Sequence, residues 1–242
     1  MTEMVLYYFP LSTTSQKVRL CQYHKGISLG ERVIDLTKLE QLTPEYLALN
    51  PSGQVPTLVV GDQPLYEASI INEFLNEQFP EKPLLPADAV LRARIRAFVK
   101  YVDRGPTVDI ATPTYRAWVG PALAKLPHEA LLPQLERTPD PVHRARWLRT
   151  LRDQISDADV EAAYQAVERF LAHMEALLES GPYLFGADYT LADVEATPIV
   201  VRLQHLLRSD LIAKHPRVSA WLSRVQALPN FGPVYAFLNQ QS

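Results

Sequence analysis

Four consecutive hydroxyl residues, Ser12-Thr13-Thr14-Ser15, stand where a strand candidate at residues 5–9 passes through Pro10 into a helical pattern. The first four N–H groups of a helix have no partner inside it, and one or two Ser or Thr oxygens suffice to cap them. The surplus hydroxyls are available for other work. Two more segments carry chemistry of a related kind. In NPSGQVPTLV, residues 50–59, Val55-Pro56 comes just before a strand candidate. In LYEASII, residues 65–71, Glu67 precedes a helix whose first-turn amides are unpaired. Two helix N-termini facing one cleft make an anion site, because the dipoles and the loose amides both favour negative charge. Each segment also has a purely structural reading: a helix cap, a trans proline opening a strand, and an acid in its favoured place at a helix N-terminus.

Other chemistries are poorly served. Cys21 is the sole cysteine, which excludes an internal disulfide and an all-cysteine metal site. It lies past the first turn of its helix and lacks the activation of a redox thiol. His24, His128, His143, His173, His205 and His215 are scattered without metal-ligand spacing, so no metal is expected. Lys plus Arg total 24 against 27 Asp plus Glu, a net charge of −3. That balance leaves no electrostatic footprint for nucleic acid or an anionic membrane, and neither is an expected partner. No apolar run reaches the roughly 18 residues of a membrane span. The N-terminus shows no basic region followed by an apolar run, so a cytoplasmic chain is expected.

The elements that position these residues fall into two groups. Residues 1–80 read as β-α-β-α-β-β-α: VLYYF, then SQKVRLCQYHKG closed by Gly26, then GERVIDL, then TPEYLALN with Thr43 as cap and Pro44 at its first position. PTLVV and PLY flank a Gly61-Asp62-Gln63 turn, and Ile70, Ile71, Phe74 and Leu75 follow at helical spacing. Strand–helix–strand implies a parallel pair, and the hairpin an antiparallel edge. A proline-rich linker occupies 81–89. Residues 90–242 read as helical throughout, interrupted at 119–155 by several prolines. Arg92, Arg94 and Arg96 suit a solvated or interface face. YTLADV carries a capping box, Thr190 with Asp193, and a hydrophobic staple of Tyr189 with Val194; this is folding chemistry.

Taken together, PLSTTSQKVR, PEYLALNPSGQVPTLV, the Glu67-x-x-Ile70-Ile71-x-x-Phe74-Leu75 helix and YTLADV resemble the glutathione transferase superfamily, over nearly the whole chain. The resemblance implies an α/β thioredoxin-like N-terminal domain that binds glutathione and an all-α C-terminal domain that supplies a pocket for a small-molecule electrophile. It implies a cis peptide at Val55-Pro56, with the valine backbone pairing the cysteinyl group of glutathione like an added strand. It places Gln41 towards the glycyl end, Gln54 in the site just before the Val-Pro pair, and Glu67 with Ala68 at the γ-glutamyl end. Ala68 departs from the Ser usual in the family and removes one hydroxyl there, leaving the Ala68 amide and Ser69. Ser12 takes the place of the serine that donates to the glutathione sulfur in serine-type members. Tyr8 is the alternative, because tyrosine-type members carry their donor at the end of the first strand. The electrophile's pocket is expected to draw on residues 8–11 and on Phe98, Tyr101, Tyr115 and Trp118. Segment 119–155 resembles the insertion of some bacterial members, including β-etherase and reductive dehalogenase relatives. A cytoplasmic homodimer with a detoxification role follows from the same likeness.

Two functions therefore compete. One is a glutathione-dependent transferase that forms a thiolate to attack an electrophilic carbon, in a narrower version that of an aromatic ether or a halogenated compound. The other is a non-catalytic interaction module on the same fold. Retention on immobilised glutathione, followed by assay with a general electrophile, separates them.

Overall fold

The first strand, β1 (Met4–Tyr8), alternates so that Leu6 and Tyr8 are buried, and it forms the centre of the N-terminal sheet. The computed structural model describes residues 2–237. Helix α1 (Thr13–Lys25) follows and ends at Gly26, whose φ of 71° suits a residue without Cβ. β2 (Gly30–Val33) pairs parallel with β1, with Val5 opposite Gly30. After two short 3-10 turns come α2 (Pro44–Leu49), β3 (Thr57–Val60), β4 (Gln63–Tyr66) and α3 (Ala68–Gln78). The four strands lie in the order β2-β1-β3-β4, with β3 antiparallel to both of its neighbours. The parallel pair and the antiparallel hairpin are those the sequence pattern predicts, and the mixed sheet is the thioredoxin-like one that the resemblance implies.

The helical part begins with α4 (Ala89–Arg104) and α5 (Pro106–Thr114), and continues through a π-helical turn at Tyr115–Val119. Segment 119–155 is not an interruption of the helical pattern. It forms α6 (Gly120–Leu123), α7 (His128–Glu136) and α8 (Pro141–Leu151). Pro121 and Pro141 sit in the first turn, where the missing N–H costs nothing. The long α9 (Asp157–Leu177) precedes α10 (Leu191–His205), α11 (Ser209–Ala213), α12 (Pro216–Gln226) and α13 (Phe231–Tyr235). None of the described helices is long and apolar enough to cross a membrane.

One core runs through both halves, from Leu6, Leu20 and Ile71 to Ile95, Phe170 and Trp221. At its centre the Thr190–Asp193 capping box is formed, and the buried Asp193 also accepts from the Leu184 amide at 3.0 Å and the Trp221 indole at 2.9 Å. Lys17 on α1 lies 2.8 Å from Asp103 on α4 and 2.8 Å from Glu195 on α10. Arg92 is half-buried, and Arg94 and Arg96 are exposed, as a solvated face requires. Arg92 donates to the carbonyls of Pro86 and Ala87, Arg94 lies over Phe185, and Arg96 pairs with Glu73 of α3. A second, smaller core of Leu39, Leu123, Leu131, Leu135, Trp147 and Leu151 fastens α6–α8 to the turn at residues 39–42. That attachment sets His143, Arg146 and Trp147 of α8 beside the cavity between the two halves.

Candidate active site

The start of α1 uses its hydroxyls for separate tasks. Ser12 is the cap: its Oγ accepts from the Ser15 amide at 3.2 Å. Ser15 Oγ accepts from the Phe9 amide at 3.2 Å, and Gln16 donates to the Pro10 carbonyl at 2.8 Å, so the loop that leaves β1 is tied to the helix it enters. Thr14 Oγ1 donates to the Val55 carbonyl at 2.9 Å, across 41 positions of sequence. Ser12 Oγ lies 2.8 Å from Thr14 Oγ1. A hydroxyl has one proton, and that of Thr14 is committed to Val55, so Ser12 is the donor between them. The result is a directed chain, from the Ser15 amide through Ser12 and Thr14 to Val55.

The loop at residues 50–57 faces this chain. Its Val55-Pro56 peptide is cis, as the resemblance implies. Tyr46 Oη donates to the Gln54 carbonyl at 2.6 Å, and Asn50 donates to the same oxygen at 2.9 Å. Burial pushes the Tyr46 phenol up to about 12, so it remains a donor. Gly53, at φ +64°, has Leu42 and Leu47 methyls near 3.1–3.3 Å from where a Cβ would stand. A larger residue is thus strained by conformation and needs those methyls to give by a few tenths of an ångström.

Between these loops and the helical half lies an open cavity of about 200 Å³. Ser12, Gln41, Gln54 and Val55 line it, together with Phe9, Leu11 and Thr14. Gln41 is buried, and neither its amide nitrogen nor its oxygen has a partner among the described residues. A buried amide left unpaired is costly, so Gln41 has hydrogen-bonding capacity to spare beside the cavity. Gln54 Nε2 stands 3.3 Å from His143 Nδ1 on α8, while that nitrogen is 2.9 Å from Asp140. One ring nitrogen cannot donate to Asp140 and accept from Gln54 at once. The shorter contact assigns the proton to the Asp140 side and leaves the Gln54 amide weakly engaged. Hydrogen bonds from the His143 amide and ring hold the Asp140 carboxyl below the usual range.

The remaining expected residues lie elsewhere. Tyr8 is in the core with Arg19 4.7 Å over its ring; burial raises its phenol against the opposing pull of Arg19. Glu67 is exposed at the start of α3, with a φ of +70° that is uncommon for a residue with a Cβ. It makes no side-chain cap, and Ala68 beside it is buried. Of the expected pocket residues, Tyr115 and Trp118 line the cavity, but Phe98 and Tyr101 do not. α4 turns Phe98 into the main core against Phe170 and His173, and Tyr101 stays exposed beside His173. No group of three or more His, Cys, Asp or Glu side chains suited to a metal occurs among the described residues.

The lining residues unforeseen from sequence include His143, Arg146 and Trp147 on α8, and Arg202 on α10. Arg202 donates to the Leu11 carbonyl and, at 3.3 Å, to Thr114 Oγ1, and its guanidinium lies 4.6 Å over the Trp118 ring. An arginine straight after the apolar run PIVV was the available signal.

Comparison with known proteins places this geometry in context. Family models for the N-terminal and C-terminal domains of glutathione S-transferase match residues 11–78 and 157–224. The chain is 32% identical over 199 residues to a maleylpyruvate isomerase of Ralstonia sp, covering 81% of each. It is 28% identical to the tetrachloro-p-hydroquinone reductive dehalogenase of Sphingobium chlorophenolicum, over 96% of this chain and 95% of that one. It is 29% identical to Protein LigF of Sphingobium sp., over 93% of this chain and 90% of the relative. The crystal structure of that protein, described as a beta-etherase, superposes with a TM-score of 0.89 at 28% identity, over 98% of this chain and 100% of the other.

Proposed function

The chain belongs to the glutathione transferase family, whose catalysis depends on glutathione, and on that premise we propose that Ser12 activates the glutathione thiol as a thiolate for attack on an electrophilic carbon. The observation that carries this reading is that Ser12 lines the cavity at the start of α1, whereas Tyr8 is buried under Arg19. Ser12 releases its proton from Thr14 and donates it to the sulfur, while its oxygen goes on accepting from the Ser15 amide. The energetics suit the arrangement. A thiol of pKa about 8.5 is only a few per cent ionised at pH 7, and lowering it by about two units takes roughly 2.7 kcal/mol. A hydrogen bond to a charged acceptor contributes about 1.5–3 kcal/mol and a helix N-terminus about 0.3–1 kcal/mol. Ser12 supplies both.

The other contacts follow from the fit of the loops to a thiol tripeptide. The Val55 backbone pairs with the cysteinyl group, Gln41 and Gln54 receive the glycyl end, and Glu67 with the Ala68 amide receives the γ-glutamyl end. The unpartnered Gln41 amide supports this fit, and it argues against a module whose cleft has no use. In the reaction a carbon–sulfur bond forms as the carbon–leaving-group bond breaks, and the leaving group, an aryloxide or halide, departs with the electron pair. A two-fold dimer accords with the exposed Tyr66, Ile70 and Val90 along β4, α3 and α4.

Ser12→Ala is expected to raise the pKa of bound glutathione by roughly one to two units, through loss of one charge-assisted hydrogen bond. Tyr8→Phe is expected to leave it nearly unchanged. Titration of thiolate ultraviolet absorbance in both variants is the test; a shift with Tyr8→Phe alone reverses the assignment.

A further inference from the structure

The cavity has an electrostatic bias that glutathione binding at Gln41, Gln54 and Glu67 does not use. Two arginines, Arg146 and Arg202, line it, and no Asp or Glu does among the described residues. Arg202 is 2% exposed, and no described carboxylate pairs with it. Its polar partners are one carbonyl and one hydroxyl, and its Nε is buried without any partner among the described residues. A guanidinium has five N–H donors, so its hydrogen-bonding capacity is far from filled. Burial pulls its pKa down to about 10, which still leaves it cationic at neutral pH. Arg146 on α8 has no ion pair in the described chain and lies 5.6 Å over Tyr115. A buried cation without a counter-ion costs several kcal/mol, and native chains rarely keep one unless a ligand supplies the missing charge. The walls beside these cations are aromatic, Trp118 under Arg202 and Tyr115 under Arg146.

We propose that the second-substrate pocket is built for an aromatic electrophile that itself carries an anionic group, a carboxylate or phenolate, which Arg202 and Arg146 receive while its ring packs on Trp118 and Tyr115. This rests on the transferase reading for the identity of the first substrate. Arg202 is held to the Leu11 carbonyl, one residue from Ser12, so an aryl anion bound there brings its ring beside the nucleophile. The anion stays on the substrate through the reaction; the sulfur displaces the leaving group from the ring, and Arg202 exchanges no proton.

The test compares 4-chloro-3,5-dinitrobenzoate with 2-chloro-1,3-dinitrobenzene, an anionic and neutral pair that differ only in the carboxylate, each kcat/KM being divided by the uncatalysed rate constant with glutathione. The unmodified protein is expected to favour the benzoate by about tenfold to a hundredfold, the worth of one charge-assisted hydrogen bond. Arg202→Met is expected to cut that ratio at least tenfold, and Arg146→Gln by less. Binding of unreactive 3,5-dinitrobenzoate against 1,3-dinitrobenzene, read by calorimetry on protein holding S-methylglutathione, is expected to show the same preference. Turnover of both electrophiles at a normalised ratio near one overturns the proposal and leaves the transferase reading intact. Tighter binding of the benzoate with no turnover of either compound supports the pocket and removes the transferase reading. Equal binding, or no binding of either, overturns the proposal. If Arg202→Met depresses both rates equally and raises the bound-thiol pKa, Arg202 serves the thiolate and the proposal fails.

Discussion

Lys17 and Arg202 are both buried where the N-terminal domain meets the helical one, and the chain treats them oppositely. Lys17 Nζ lies 2.8 Å from both Asp103 and Glu195 and donates to Thr107 at 3.0 Å, while Glu195 is held in turn by Asn72 at 2.9 Å. Burial would lower the Lys17 pKa, but the two carboxylates outweigh it and leave the ammonium firmly charged. Arg202 has a carbonyl, a hydroxyl and an indole, and burial prevails. A compensated charge at an interface serves to align the parts that share it. An uncompensated one beside a cavity is kept against stability, and such exceptions concentrate at functional sites.

The largest expected effect lies on the compensated side. Lys17→Met leaves Glu195 buried without its cation, and urea unfolding is expected to show a loss of about 3–5 kcal/mol. Adding Glu195→Gln is expected to recover more than half. A single-variant loss below about 1 kcal/mol erases the distinction between the two sites.

Arg202→Met stands next. It removes an unpaired buried charge and leaves the Leu11 carbonyl and the Thr114 hydroxyl without that donor, effects of opposite sign. The same unfolding measurement is expected to move by less than about 2 kcal/mol in either direction. A loss as large as that of Lys17→Met makes Arg202 a structural residue.

The smallest effect sharpens the comparison from a neighbour. Burial and, after it, the Arg202 charge hold His205 down at about 4. Arg202→Met, or an anion bound beside Arg202, is expected to move the His205 pKa upward by a fraction of a unit in an NMR titration. His24 is held at about 4 by burial, then by Lys25 and Lys82. Both imidazoles are therefore neutral in the folded chain while the unfolded chain takes up protons. Their contribution to stability is full above pH about 6.5, falls as pH drops towards 4, and levels off below. Thermal melting across that window is expected to show the decline, reduced by His24→Gln.

The same contrast explains what the sequence discloses. Lys17, Glu195 and Asp103 look like surface residues one at a time, but the periodicities that place α1, α4 and α10 were readable, as were the Thr190–Asp193 box and the turn at Gly61-Asp62. The wall formed by α8 was not, because prolines at 121, 133, 139 and 141 read as breaks, and the lining role of His143, Arg146 and Trp147 depends on a tertiary contact with Leu39. α10 is buried from Leu191 to Leu203, so no polar face marks which way Arg202 points. Phe98 and Tyr101 misled for the converse reason. Phe98 sits on the stripe of α4 that faces the core, while Tyr101 is exposed away from the cavity, and aromatic type alone does not tell core, surface and cleft apart. The Ser12 run was conspicuous, but its division of labour rests on Val55, far along the chain.

That last contact has a stereochemical consequence. A carbonyl oxygen offers two lone pairs, and Thr14 occupies one of those on Val55. An incoming peptide N–H is left with a single approach. The side chain of Thr14 thereby restricts the direction from which an extended peptide can add to this edge, and with it which of its side chains can turn towards Ser12.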